Sequence, residues 1–169
     1  MKTLKLKTGI WLPQKRTTVF SFFADPHNLE DLTPAWLHFE ILTPLPLQMK
    51  TGVLIDYHLR LYGIPLRWQS EISVWEPPHR FVGRQIRGPY RLWIHEHTFY
   101  EHEVGTIVGD SVTYAVSGGT LVQKLFVAPD LARIFHYRHE VLQNLFNPKG
   151  LQPSRPGTGI VALDRNSDK

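Results

Sequence analysis

The central part of the chain is a succession of short segments in which apolar residues mostly alternate with polar ones. Turns rich in glycine and proline separate six segments with strand character, which cover residues 36–42, 53–61, 66–75, 81–86, 90–100 and 106–116. Alternation with a period of two is typical of strands that bury one face. Because the turns are short, the strands are predicted to pair in sequence order as an antiparallel meander.

The residues before this meander predict one more strand and two short helices. Residues 4–12 alternate in polarity, which predicts a half-buried strand. Residues 14–24 carry several phenylalanines and predict a short helix with an aromatic face. Asp25 and Pro26 are the residue types of a helix N-cap and of a first helical position, so a second helix is predicted over residues 26–32.

After the meander the pattern changes to helical spacing. Residues 120–127 predict a helical piece, and Pro129 is expected to open a new, long helix because proline is tolerated in a first turn. Apolar residues then recur at spacings of three, four and seven up to Phe146, the pattern of an amphipathic helix that faces a core. Residues 147–169 show little periodicity, so the domain is expected to span 1–146 and the remainder to be a mobile tail.

This element order predicts an α+β domain. About seven antiparallel strands would form one curved sheet, and the terminal helix is the only element long enough to fill its concave side. A sheet that wraps around one helix often leaves a cavity between them, and concave apolar cavities are where small ligands bind. A binding function therefore follows from the architecture more directly than from any motif.

Composition excludes several classes of protein. The 169 residues contain no cysteine, which excludes a disulfide scaffold, a thiolate nucleophile, an iron–sulfur cluster and a thiolate zinc site. The formal net charge is +4, but the densest basic cluster is only Lys2, Lys5 and Lys7, so no nucleic-acid partner is expected. No apolar run approaches the roughly 20 residues of a membrane span, and the N-terminus lacks the apolar core of a signal peptide. We therefore expect a cytoplasmic protein without a cofactor.

Two histidines and an aspartate form the most distinctive polar group of the predicted sheet. Side chains two apart share a face of a strand, so His95 and His97 lie together with Trp93 and Phe99. The hairpin that follows pairs this strand with the next one. Asp110 is therefore expected across from His95 or His97, with facing Cβ atoms about 5 Å apart.

Four interpretations of His95, His97 and Asp110 remain open. They can form a satisfied hydrogen-bond network beneath the helix, or they can be the few polar groups that orient a ligand in an apolar pocket. His-x-His on a strand with a facing carboxylate can also bind a metal, and a carboxylate that orients a histidine can support acid–base catalysis. The metal signal is weak because such a pair recurs by chance in a chain with 9 histidines, so no metal site is predicted.

The remaining candidate features carry less functional weight. His136 and His139, with Tyr137 and Arg138, are interpreted as the polar face of the terminal helix. The sequence contains no motif of a serine nucleophile elbow, a phosphate-binding glycine loop, a dinucleotide fold or a zinc-protease helix. The enzyme classes with strong sequence signatures are thereby removed.

Several stretches of the sequence resemble the SRPBCC superfamily, which includes START-like lipid-transfer domains, polyketide cyclase/dehydrase-like proteins and plant pollen-allergen-like ligand carriers. Residues 20–29 are similar to the helix pair that opens these domains, and residues 75–81 and 88–90 are similar to their mid-sheet turns. A bacterial branch without an assigned ligand shows a similar strand pair, here Trp93-x-His95-x-His97-x-Phe99 and Asp110-x-Val112-x-Tyr114. The resemblance covers roughly residues 3–146.

The resemblance implies a helix-grip fold in which the strand face that carries His95 and His97 looks inward. It also implies binding of a small hydrophobic or aromatic ligand, lipid-, quinone- or polyketide-like, between the sheet and the terminal helix. Two alternatives remain: a cyclase/dehydrase-type enzyme in which a His–Asp pair moves protons, and an accessory protein with a collapsed cavity. Similar proteins often carry an acidic residue where this chain has Gly83, which removes one polar cavity group.

The residues expected to contact the ligand combine inward-facing positions of the strands with two residues of the terminal helix. The apolar wall is predicted to be Tyr57, Trp68, Phe81, Trp93, Phe99, Tyr114, Ile134 and Phe135. The polar groups are predicted to be Gln85, His95, His97 and Asp110, of which the last three are also the catalytic candidates. A monomer and a homodimer are both compatible with the sequence, which shows no interface signature.

Overall fold

The strands form one antiparallel sheet that follows the chain order almost throughout. The computed structural model describes residues 3–118 and 122–154. The strands in these residues are β1 (Leu4–Leu12), β2 (Glu40–Ile41), β3 (Leu54–Leu61), β4 (Ile64–Glu76), β5 (Arg80–Arg87), β6 (Leu92–His102) and β7 (Gly105–Ala115). Their spatial order is β1-β7-β6-β5-β4-β3-β2. The predicted meander is confirmed, and β1 extends it by pairing with β7.

The helices lie before and after the main run of strands. Helix α1 (Arg16–Ala24) and the short helix α2 (Asn28–Asp31) follow β1, and the long helix α3 (Ala128–Phe146) follows β7. A 3-10 turn, Ala35–Leu37, comes after α2, and a π-helical turn, Gln123–Val127, leads into α3. This order confirms the predicted α+β fold, with two short helices after the first strand and a long helix at the end of the domain.

The strand predicted over residues 36–42 is wrong in most of its length. The segment begins as the 3-10 turn, and only Glu40–Ile41 pairs with β3. The reason is local, because His38 has a φ of 43° and so interrupts an extended run. The apolar character of the segment reflects partial burial rather than strand pairing, since Leu37 is buried in the core.

The two predicted helix starts agree with the structure to within two residues. Asp25 makes the contact expected of an N-cap, because its Oδ1 accepts a hydrogen bond from the backbone N–H of His27 at 3.0 Å. The regular helix α2 begins at Asn28 rather than at residue 26. The predicted start of the long helix is confirmed to within one residue, because α3 begins at Ala128 directly after the π-helical turn and Pro129 lies in its first turn. Its missing N–H is tolerated at that position.

Buried side chains beneath the helices form two apolar clusters in the part of the chain that the structure describes. One contains Leu12, Phe20, Phe99 and Leu142, and joins α1, the sheet and the C-terminal half of α3. The other contains Leu6, Val112, Tyr114, Leu131 and Phe135, and fills the space beneath the N-terminal half of α3. The concave side is therefore packed at both ends of the helix.

The segment expected to be a mobile tail, 147–169, is described as far as Ser154. Asn147 is buried, and its Nδ2 donates a hydrogen bond to the carbonyl of Leu151 at 2.9 Å. The backbone N–H of Ser154 donates to Oε2 of Glu103 at 2.8 Å. Predictions for Lys2, for the start of the helical piece at 119–121 and for residues 155–169 lie outside the described residues. Within the described residues, no helix combines the length and the apolar character needed to cross a bilayer.

Candidate ligand-binding site

A cavity of about 140 Å³ lies between the sheet and the helices. Side chains of β3, β4, β5 and β6 line it, and α1, α2 and α3 contribute further lining. Aromatic and aliphatic groups dominate, including Phe22, Phe23, Leu29, Ile55, Ile72 and Phe81. Among the polar side chains that reach it are Tyr57, Ser70, His95, His97 and Arg138.

The structure brings together fewer than half of the residues predicted to contact a ligand. Five of the twelve line the cavity: Tyr57, Phe81, Trp93, His95 and His97. The other seven are not among its lining residues: Trp68, Gln85, Phe99, Asp110, Tyr114, Ile134 and Phe135. A position that faces inward therefore does not by itself reach the cavity.

Most of these seven residues have other packing or hydrogen-bonding partners. Phe99 is fully buried, and its ring packs against Phe20 and Phe81. Tyr114 and Phe135 belong to the cluster beneath the N-terminal half of α3. These rings therefore fill space in which the sequence predicts a bound ligand.

Gln85 and Trp68 are held by polar contacts near the edge of the cavity. The side-chain amide of Gln85 donates to the carbonyl of Tyr90 at 2.7 Å, and its Oε1 accepts from the backbone N–H of Tyr90 at 3.3 Å. Gln85 thus closes the turn between β5 and β6. The indole N–H of Trp68 donates to Oγ of Ser70 at 3.0 Å.

The cavity lining includes residues that the sequence did not predict, and two groups of them are informative. Phe22, Phe23 and Leu29 come from the helix pair after β1, which had been treated only as an element of the fold. Arg138 had been placed on the polar face of the terminal helix, but it is buried. Its spacing carried a usable signal, because it lies three residues after Phe135 and four before Leu142, on the buried face of α3.

The other residues assigned to that polar face divide between surface and interior. His136 is exposed and pairs with Glu140. His139 is partly buried, and its Nε2 lies 3.0 Å from Oγ1 of Thr8 on β1. The polar face of α3 is therefore narrower than the residue types suggested.

Asp110 accepts contacts from both strand histidines. In the register of β6 and β7 it lies opposite His97, as expected from the hairpin. Nε2 of His95 donates to Oδ1 of Asp110 at 2.7 Å. Nδ1 of His97 lies 2.8 Å from the same oxygen, but its angle is outside hydrogen-bond geometry. Within the described residues, Oδ2 of Asp110 has no hydrogen-bond partner.

Burial decides the protonation of this group. Burial and the nearby His97 together lower the pKa of His95 to about 3, although the hydrogen bond to Asp110 acts in the opposite direction. Burial also lowers the pKa of His97. For Asp110, burial alone would raise the pKa, but the contacts with the two histidines hold it well below its usual range. At neutral pH the group therefore contains one carboxylate and two neutral imidazoles.

Arg138 adds a cation to the same region. Its side chain is 9% exposed, and Nη1 lies 3.7 Å from Oδ1 of Asp110. Burial lowers the pKa of Arg138, but a guanidinium starts from so high a value that it stays protonated. Nearby, the hydroxyl of Tyr57 lies 2.6 Å from Oγ of Ser70, and burial raises the pKa of Tyr57.

These charges bear differently on metal binding and on catalysis. His95, His97 and Asp110 each offer one ligand atom, and these atoms lie within 4.8 Å of one another. The guanidinium beside Asp110 opposes a second cation there. Acid–base catalysis works best with a pKa near the working pH, and a histidine with a pKa of about 3 is a weak base at neutral pH.

The comparisons with known proteins address the fold. No family model matches the chain, and no curated protein matches it. Among solved structures, ginseng major latex-like protein 151 from Panax ginseng is similar with a TM-score of 0.65 at 12% identity, covering 86% of this chain and 99% of that one. Protein CV1439 from Chromobacterium violaceum is similar with a TM-score of 0.66 at 14% identity, covering 86% and 97%. Protein Ms6760 from Mycobacterium smegmatis is similar with a TM-score of 0.63 at 16% identity, covering 86% and 92%.

The element order, the sheet topology and these similarities agree. The chain has an SRPBCC-like helix-grip fold, and the resemblance read from the sequence is confirmed at the level of the fold. Sequence identities this low carry the fold alone, so function has to be argued from the site.

Proposed function

We propose that the protein binds a small apolar or aromatic molecule in the cavity between the sheet and the helices. The observation that carries this proposal is the cavity itself, which aromatic and aliphatic side chains line and a few polar groups reach. Such pockets bind ligands through apolar contact and orient them through a small number of polar groups. A void of this kind is the reverse of what an accessory protein with a collapsed cavity would have.

The volume limits the size of the guest. Cavities for drug-sized ligands have volumes of roughly 300–1,000 Å³, whereas an engineered cavity of about 150 Å³ binds benzene. At about 140 Å³ the cavity matches a guest with a single ring. The larger lipid-, quinone- or polyketide-like ligands implied by the resemblance require lining side chains to move.

The cyclase-type enzyme remains the second candidate, because a carboxylate does orient His95 at 2.7 Å. Its weakness is the low pKa of His95, which leaves little basicity at neutral pH. The two candidates differ in the fate of the guest. A binding protein returns it unchanged, whereas an enzyme yields a product whose formation stops in a His95→Gln variant.

The test is a titration of the protein with toluene, followed by tryptophan fluorescence. Trp93 lines the cavity, whereas Trp36 is 47% exposed and lies outside the lining. We expect a saturable change in emission that Trp93→Phe removes and the matched control Trp36→Phe retains. The guest is then extracted and analysed by mass spectrometry. No saturable change in the wild type, or an equal change in the Trp93→Phe variant, would contradict the proposal.

A further inference from the structure

The guanidinium of Arg138 is a buried cation whose hydrogen-bonding capacity is incompletely used. Its side chain is only 9% exposed, and it lines the cavity. Within residues 3–118 and 122–154, its Nε has no hydrogen-bond partner. Its contact with Asp110 is 3.7 Å, whereas charge-assisted hydrogen bonds are about 2.7–2.9 Å long. The guanidinium is therefore incompletely hydrogen-bonded, and it belongs to a side chain that lines the cavity.

Asp110, the counterion of Arg138, also contacts both strand histidines. Oδ1 of Asp110 accepts the hydrogen bond of His95 at 2.7 Å and lies 2.8 Å from His97. Asp110 is not among the lining residues of the cavity, whereas Arg138 is. Of this pair, the cavity lining therefore includes the cation and not the carboxylate. The lining does contain the carboxylate of Asp25, whose Oδ1 accepts from the backbone N–H of His27 and lies 2.9 Å from Nδ1 of the same residue.

We propose that the guest is a small aromatic carboxylate, whose ring lies among the apolar lining and whose carboxylate accepts hydrogen bonds from Arg138. This inference rests on the proposed binding function and names the class of ligand. A planar carboxylate matches the fork of N–H donors on a guanidinium. Phe22, Phe23 and Phe81 supply aromatic surface for the ring in the same cavity. The volume of about 140 Å³ is close to that of a cavity known to hold one benzene ring.

The first arm of the test uses the wild-type chain and three guests of similar size: toluene, benzamide and benzoate. Affinities are measured by isothermal titration calorimetry. A charge-assisted hydrogen bond predicts that benzoate binds about ten- to a hundredfold more tightly than benzamide. If toluene or benzamide binds as tightly as benzoate, the inference about Arg138 is overturned while the proposed function stands. If none of the three binds, the proposed function fails as well.

The second arm assigns the preference to one side chain. Arg138→Met is expected to remove the preference for benzoate over benzamide while toluene still binds. Because that variant leaves Asp110 without its cation, the paired variant Arg138→Met with Asp110→Asn is measured beside it. Arg133→Met is the matched control, since Arg133 lies on the same helix with a side chain that is 65% exposed. A preference that survives in the folded paired variant, or that disappears in Arg133→Met, would overturn the inference.

Discussion

Replacing Gly83 by leucine is expected to stabilise the protein and to abolish binding at the same time. Gly83 lies in β5 and lines the cavity, and a Cβ added there would meet nothing within 4 Å. The position therefore has room for a Cβ, and we expect the rest of a leucine side chain to extend into the cavity that Gly83 lines. Most substitutions that remove a binding site also cost stability, so the opposite sign is a demanding prediction.

The magnitude follows from the size of the void. At about 24 cal/mol per Å³, filling all of the 140 Å³ would contribute about 3 kcal/mol to the free energy of unfolding. Leucine fills part of that volume, and glycine in a strand interior costs roughly 0.5–1 kcal/mol relative to alanine. We therefore expect a gain of about 1–2 kcal/mol, which corresponds to a rise in Tm of about 2–8 °C for a chain of this size.

The assay combines thermal unfolding with the toluene titration. Gly83→Ala is the graded variant, expected to keep most of the binding, and Ile86→Phe is the control on the exposed side of the same strand. The reasoning is refuted if Gly83→Leu binds toluene as the wild type does. It is also refuted if the variant unfolds at a lower temperature, because the space at Gly83 would then be occupied.

Three further expectations concern the polar groups. Because His95 and His97 have a lowered pKa in the folded state, the unfolded chain binds more protons below about pH 6.5, so stability should fall as the pH drops toward 3. In urea titrations across that range, His95→Gln should show a shallower slope, and an unchanged slope would contradict the assignment. Gln85→Ala should lower stability by about 1–2 kcal/mol in urea unfolding and leave toluene affinity unchanged, because its amide closes a turn. Arg138→Met should lower stability by about 3–5 kcal/mol in the same assay, and the paired change Asp110→Asn should restore much of the loss.

The strands were predictable because their signal is local. A period of two and short turns determine both the pairing of neighbours and the side on which a residue lies, and the hairpin between β6 and β7 brought Asp110 opposite His97 as expected. The strand predicted over residues 36–42 is wrong because the prediction rested on alternation alone. The left-handed conformation of His38 interrupts the extended run, and alternation of residue types does not report the φ of a single residue.

The cavity lining was less predictable, because a void depends on how neighbouring volumes fill space. Phe99 and Phe135 face inward, yet both pack within the buried apolar clusters and do not line the cavity. Arg138 was assigned to the polar face of the terminal helix because its side chain is charged. Its spacing places it on the buried face of α3. Helical spacing constrains burial more strongly than residue type when a charged side chain has a buried partner, as Arg138 has in Asp110.

Methyl-detected NMR during a toluene titration tests the central claim most directly. Leu29, Ile55 and Ile72 line the cavity, whereas Leu131 and Val112 lie in the filled cluster beneath the N-terminal half of α3. We predict saturable shifts for the first three methyl-bearing residues and little change for the other two. Shifts confined to Leu131 and Val112, or to exposed methyl groups, would contradict the claim that a small aromatic guest occupies this cavity.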